Sequence, residues 1–196
     1  CRLDAEGLET AVAAAEACLA QGVDLLIVNK FGKQEASGRG FRPVIAAALE
    51  TAGCHVRVID MFAEQLNGDD ILEKTERFRP DIVGMTVLTP SAPVCSELSQ
   101  RLRARLPDLK IIWGAIHADI FAADIVRDHD ADFCIHHDGE ESVVEIVEQM
   151  SRDNPDYASI TGITWRDDTG MPVKNKERIL NTDLDALPYP AWHLFP

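Results

Sequence analysis

At 196 residues, with 46% apolar and 27% charged side chains, the chain is long enough to bury one sizeable core. That excludes disorder as its overall state and leaves no room for two full domains. No run of about 18 apolar residues occurs, and Glu6, Glu9 and Glu16 interrupt the Ala-rich opening, so the sequence shows neither a membrane span nor a signal peptide. A net charge of −14, from 33 acidic against 19 basic residues, repels phosphate backbones and argues against a nucleic-acid partner.

Apolar residues at positions 8, 12, 15 and 19 recur at helical spacing, which predicts a helix over 5–21 that ends at Gly22. A continuous apolar run at 23–28 reads as a buried strand, and a polar, Gly-containing loop follows it. Residues 41–52 form the next helix, with Pro43 tolerated in its first turn. Residues 55–60 alternate and are β-rich. The unit then repeats: helix 70–78, strand 81–88, helix 93–106, strand 109–113, helix 118–128, strand 132–136, helix 141–152. Short strands separated by helices of 10–15 residues are βαβ units, so the fold class is α/β. We expect a doubly wound, flavodoxin- or Rossmann-like parallel sheet of five strands with helices on both faces. Residues 160–166 and 172–174, around a turn at Asp168-Thr169-Gly170, read as an edge hairpin. The organisation is therefore one domain over 1–157, a hairpin extension over 158–182 and a Pro-rich linker over 183–196.

The five cysteines (1, 18, 54, 95 and 134) lie far apart, with no CxxC and no Cys/His zinc spacing. That pattern suits reduced, buried thiols in a cytoplasmic protein. A first residue that is Cys, and a last one in a Pro-rich run, read as cut ends of a longer chain.

Ligands of such sheets bind beyond the carboxyl ends of the strands, near the point where strand order reverses. Four loops therefore matter. In loop 29–40, Gly32-Lys33 hints at a phosphate loop, but Gln34 follows and no Gly stands five positions earlier, so a solvated loop competes with a nucleotide cradle. In loop 88–93, the hydroxyls of Thr89 and Ser91, with Thr86 just before them, either bind a ligand's polar tail or cap the following helix. In loop 114–118, Gly114 and Ala115 let a flat ligand approach the backbone, while His117 either faces that ligand or caps the helix. In loop 136–141, His136, His137, Asp138, Glu140 and Glu141 invite a metal reading. Adjacent strand residues point to opposite faces, however, and the glutamates suit a helix start. The residues by themselves give an α/β domain with a ligand cleft.

Four stretches between about residue 49 and the linker carry a resemblance. They are Ala52-Gly53-Cys54-His55-Val56-Arg57-Val58-Ile59-Asp60, Arg79-Pro80-Asp81-Ile82-Val83-Gly84 leading into Thr86-Val87-Leu88-Thr89, Trp113-Gly114-Ala115-Ile116-His117-Ala118, and Asp138-Gly139-Glu140-Glu141. With Leu184-Asp185-Ala186-Leu187-Pro188-Tyr189-Pro190-Ala191-Trp192, their order and spacing resemble the N-terminal cobalamin-binding domain of cobalamin-dependent radical SAM enzymes. The nearest branch is the anaerobic magnesium-protoporphyrin monomethyl ester oxidative cyclases. The resemblance implies a domain that holds cobalamin at the strand ends, with Thr86, Leu88, Thr89, Gly114, Ala115, His117, Gly139 and Glu140 at the cofactor. It also implies a radical SAM barrel after Pro196 in the parent enzyme, carrying a 4Fe-4S cluster and S-adenosylmethionine, for methyl transfer or radical chemistry.

Residues 1–49 resemble something else, an uncharacterised bacterial family of nucleoside-triphosphatase-like fold. Cys1-Arg2-Leu3-Asp4, Asp24-Leu25-Leu26-Ile27-Val28-Asn29 and Gly38-Arg39-Gly40-Phe41-Arg42-Pro43 carry that likeness. The chain thus reads as a seam between two families, in which the first segment supplies strand one and helix one of the cobalamin fold. Two departures matter. Loop 29–40 has no His to replace the lower cobalt ligand, and CxxxCxxC is absent, so the chain alone should not catalyse. The rival readings are a nucleotide-binding domain and a non-catalytic interaction domain.

Overall fold

The computed structural model describes residues 23–29, 42–179 and 187–194. The helix expected over 5–21, nearly all of loop 29–40 and six of the fourteen linker residues lie outside the described residues. Strand β1 (Asp24–Asn29) is followed by α1 (Arg42–Thr51), β2 (His55–Asp60), α2 (Gly68–Phe78), β3 (Ile82–Thr86) and a short 3-10 turn (Thr89–Ser91). Then come α3 (Ala92–Arg105), β4 (Lys110–Gly114), α4 (Ile116–Asp128), β5 (Phe133–Ile135), α5 (Glu140–Met150), β6 (Ile163–Arg166) and β7 (Pro172–Lys174).

The strands form one sheet in the order β2-β1-β3-β4-β5-β6-β7. The first five are parallel, as the βαβ pattern requires. The expected edge hairpin, β6–β7, pairs antiparallel onto β5 and brings the five parallel strands to a sheet of seven. β1 lies between β2 and β3, and strand order reverses there.

Alternation along each strand builds two cores. Leu26, Val28, Val83, Met85, Ile111 and Trp113 pack under α2, α3 and α4. Leu25, Ile27, Ile82, Ile112, Phe133 and Ile135 pack under α1 and α5. A parallel sheet covered on both faces needs apolar residues at both parities, which is why its strands read as continuous apolar runs.

Local chemistry sets the element ends. α2 starts two residues before its expected start, because Asn67 accepts hydrogen bonds from the Asp69 and Asp70 amides while Asp70 accepts from the Asn67 amide. β6 starts at Ile163 instead of residue 160, because Gly162 takes a left-handed turn (φ 76°).

Asp132, just before β5, ties the amino end of the sheet. It accepts the Ile111 amide at 2.8 Å and pairs with Arg103, whose guanidinium also donates to the Pro107 carbonyl at 3.0 Å. The Asp132 side chain is 13% exposed, so removing it leaves the Ile111 amide unpartnered and takes the countercharge from Arg103, which keeps only carbonyl partners. Asp132→Ala should lower the unfolding free energy by about 2–3 kcal/mol, and Asp132→Asn by less, as read from chemical denaturation.

Candidate functional site: a cleft at the carboxyl ends of the strands

On the α1/α5 face the cover is incomplete. A cleft of about 630 Å³, partly open to solvent, runs over the carboxyl halves of β1, β3, β4 and β5. Leu25, Ile27 and Ile112 form its floor, Ile45 and Leu49 of α1 one wall, and Ile135, Gly139 and Val143 the other. Two glycines make the opening. Gly84 pairs with Ile27 and Ile112, and Gly114 pairs with Thr86, which puts both glycines on this face. A Cβ at either position would meet no atom within 4 Å. The floor is therefore stripped of side chains where a flat group could lie.

Of the residues singled out from sequence, Thr86, Gly114, Ala115 and Gly139 line the cleft. Leu88, Thr89, His117 and Glu140 lie outside its lining. Past β3 the chain bends into the 3-10 turn, where the Ser91 hydroxyl donates to the Leu88 carbonyl (2.9 Å) and accepts from the Leu88 amide (3.0 Å). Ser91 thus serves as a local cap. Thr89 Oγ1 sits 3.3 Å from His117 Nδ1, and the His117 ring leans on Phe121 at 4.7 Å. Burial, helped by nearby His129, lowers the His117 pKa. Gly84, Ile27, Ile45, Leu49, Ile112, Ile135 and Val143 also line the cleft without standing out in the sequence, as does His137, which the sequence offers only for a metal. Gly84 was detectable: it stands two residues before Thr86, so a strand puts both on one face.

The turn from β4 into α4 is strained. Ala115 has φ 74° and ψ −177°, a conformation that is essentially glycine's alone. Hydrogen bonds hold it, from the Val87 amide to the Gly114 carbonyl (2.9 Å) and from the Ala118 amide to the Ala115 carbonyl (2.9 Å).

The β5–α5 turn carries His136 and His137. Asp119, in the first turn of α4, stands 3.4 Å from His136 Nδ1 and 3.8 Å from His137 Nδ1, and accepts the His137 amide at 2.8 Å. His136 is buried with Nε2 2.8 Å from Thr164 Oγ1, and burial lowers its pKa against the pull of Asp119. Glu140 follows, 4% exposed, with Oε1 buried and unpartnered. Burial raises its pKa, and Asp138 and Glu141 add to the rise. Among the described residues no cluster of three or more His, Cys, Asp or Glu could hold a metal ion, and no helix is long and apolar enough to cross a membrane.

The family model of the B12 binding domain matches residues 27–147, more than half of the chain. The chain belongs to the B12-binding domain family. Over 157 residues it is 28% identical to the anaerobic magnesium-protoporphyrin IX monomethyl ester cyclase of Cereibacter sphaeroides, covering 76% of this chain and 24% of that protein. Its fold matches the radical S-adenosylmethionine methyltransferase TsrM of Kitasatospora setae, solved with cobalamin and a [4Fe-4S] cluster bound. The TM-score is 0.66 at 20% identity, over 87% of this chain and 32% of that one. A shorter stretch of 49 residues is 53% identical to the molybdenum import ATP-binding protein ModC 2 of Bradyrhizobium diazoefficiens, covering 25% of this chain and 6% of that protein. The B12-binding domain thus spans about a quarter of the cyclase and a third of the methyltransferase.

Two outcomes test the strain and the buried acid. Ala115→Gly should raise stability by about 1 kcal/mol, seen as a melting temperature about 2–4 °C higher. A carboxyl whose folded pKa is raised stabilises below its unfolded pKa and loses that contribution as pH rises through its folded pKa. Glu140→Gln should therefore gain stability relative to the parent as pH rises from about 4 to about 8, in denaturation midpoints measured at each pH.

Proposed function

We infer that this chain is the cobalamin-binding module of a cobalamin-dependent radical SAM enzyme, and that its cleft receives the nucleotide tail of the cofactor. The observation that carries this is the pair of bare positions at Gly84 and Gly114, on the floor of an apolar cleft at the point where strand order reverses. A planar, apolar base fits between that floor and the α1 wall of Ile45 and Leu49, where side chains of β3 and β4 would otherwise stand. The Thr86 hydroxyl lies at the cleft's edge for the polar part of the tail, and Ala115 and Gly139 bound it. Thr89, Leu88 and His117 stand beyond the β3 and β4 ends, where they would meet only what projects past the cleft.

When bound, cobalamin supplies a cobalt centre that carries a methyl group or takes part in radical chemistry. The chain's own part is to hold and orient the cofactor and to shield its tail from water. Cluster and S-adenosylmethionine chemistry would belong to another part of a larger enzyme, because the five cysteines cannot form CxxxCxxC. An ATP-binding reading gains nothing from the 49-residue likeness, since the sequence contains no GxxxxGK followed by Ser or Thr.

Titration with hydroxocobalamin, followed in the visible spectrum, tests the reading directly. Gly114→Leu and Gly84→Val should fold normally, because each new Cβ enters open space, and should weaken binding at least tenfold by filling the bed of the tail. Unchanged affinity in either folded variant would remove the tail from this cleft.

A further inference from the structure

The cleft is almost wholly apolar, yet the nucleotide tail of cobalamin carries a phosphodiester anion. Setting that charge against an apolar wall without a donor or a cation is costly. Among the described lining residues only Thr86 and His137 have polar side chains, and only His137 can carry positive charge. The histidines nearby are placed differently. His136 is buried against Thr164, and His117 lies outside the lining with its pKa lowered.

His137 is held on purpose-built geometry. Its backbone is left-handed, with φ 56°, where glycine would be unstrained. The Asp119 carboxylate holds it there by accepting its amide at 2.8 Å, and the same carboxylate stands 3.8 Å from Nδ1. Asp119 follows directly on the turn at Gly114 and Ala115, so one side chain joins the two turns that bound the cleft. The carboxylate on the Nδ1 side orients the ring and leaves Nε2 available to a ligand. The ring is about half exposed, so an incoming ligand can reach it.

We propose that His137, positioned by Asp119, receives the phosphodiester of the cobalamin nucleotide tail at the mouth of the cleft. The proposal rests on the reading of the cleft as the tail's bed. Asp119 acts through His137 and is a positioning residue.

The test compares aquacobalamin with cobinamide, which lacks the phosphodiester, ribose and base, by absorbance titration of the 196-residue chain. His137→Gly removes the ring and relaxes the backbone, so the variant should melt no lower than the parent. Its aquacobalamin affinity should fall about tenfold or more, the range of a hydrogen bond to a charged group, with cobinamide affinity changed by less than about twofold. His137→Gln, which keeps a donor, should recover part of the loss. Aquacobalamin affinity unchanged in His137→Gly, or an equal loss for both ligands, overturns the proposal. A parent chain that binds aquacobalamin no better than cobinamide overturns the reading of the cleft itself, and the proposal with it.

Discussion

A parallel sheet is stable only when helices cover both of its faces, and the rest of this structure follows from the one place where that cover is withheld. Under α2, α3 and α4 the packing is continuous, with Trp113, Ile111, Leu102 and Ile125 fully buried. Under α1 and α5 the amino halves of the strands are equally closed, with Ile82, Phe133 and Ile146 buried. The gap opens toward the carboxyl ends, where Gly84 and Gly114 contribute no side chains. Two missing side chains on adjacent strands open that floor, beside the point where strand order reverses. Site and fold are thus one arrangement: the cleft is the sheet's own core with part of the packing missing.

Strain and buried charge gather around that gap. Ala115 and His137 occupy left-handed backbone on its two sides, and Asp119 links the turns that contain them. Glu140 keeps a buried, unpartnered oxygen at the first turn of α5. A chain selected for stability alone would place glycine at both left-handed positions and a neutral residue at Glu140. These local departures from the most stable choice gather at the cleft, beside an otherwise well-packed core.

Much of this was legible from residue order. The short apolar runs, the Gly and Pro stops and the helix lengths define a parallel α/β sheet with an edge hairpin, and the quoted stretches carry the family resemblance. Among the residues that line the cleft, Thr86, Gly114, Ala115 and Gly139 stand out because small or hydroxyl-bearing side chains gather at strand ends. Gly84 lies inside a strand, outside the loops where ligands of such sheets bind, although strand alternation places it beside Thr86. Leu88, Thr89 and His117 looked equivalent to Thr86 in sequence. The 3-10 turn closed by Ser91 carries the first two past the end of the cleft, and the direction of a chain after its last ladder bond is not encoded in periodicity.

The sequence by itself determined which segments pair as strands, which cover them and at which end of the sheet the cleft lies. Those follow from local periodicity and from the handedness of βαβ connections, which hold for any chain of this pattern. Only the tertiary structure decided that Gly84 and Gly114 share one face over an open floor, and that Asp119 reaches His137 across 18 positions of sequence. Those relations depend on strand register and on the course of the turns between elements. They are set by packing among residues distant in the chain, and no local pattern specifies that packing.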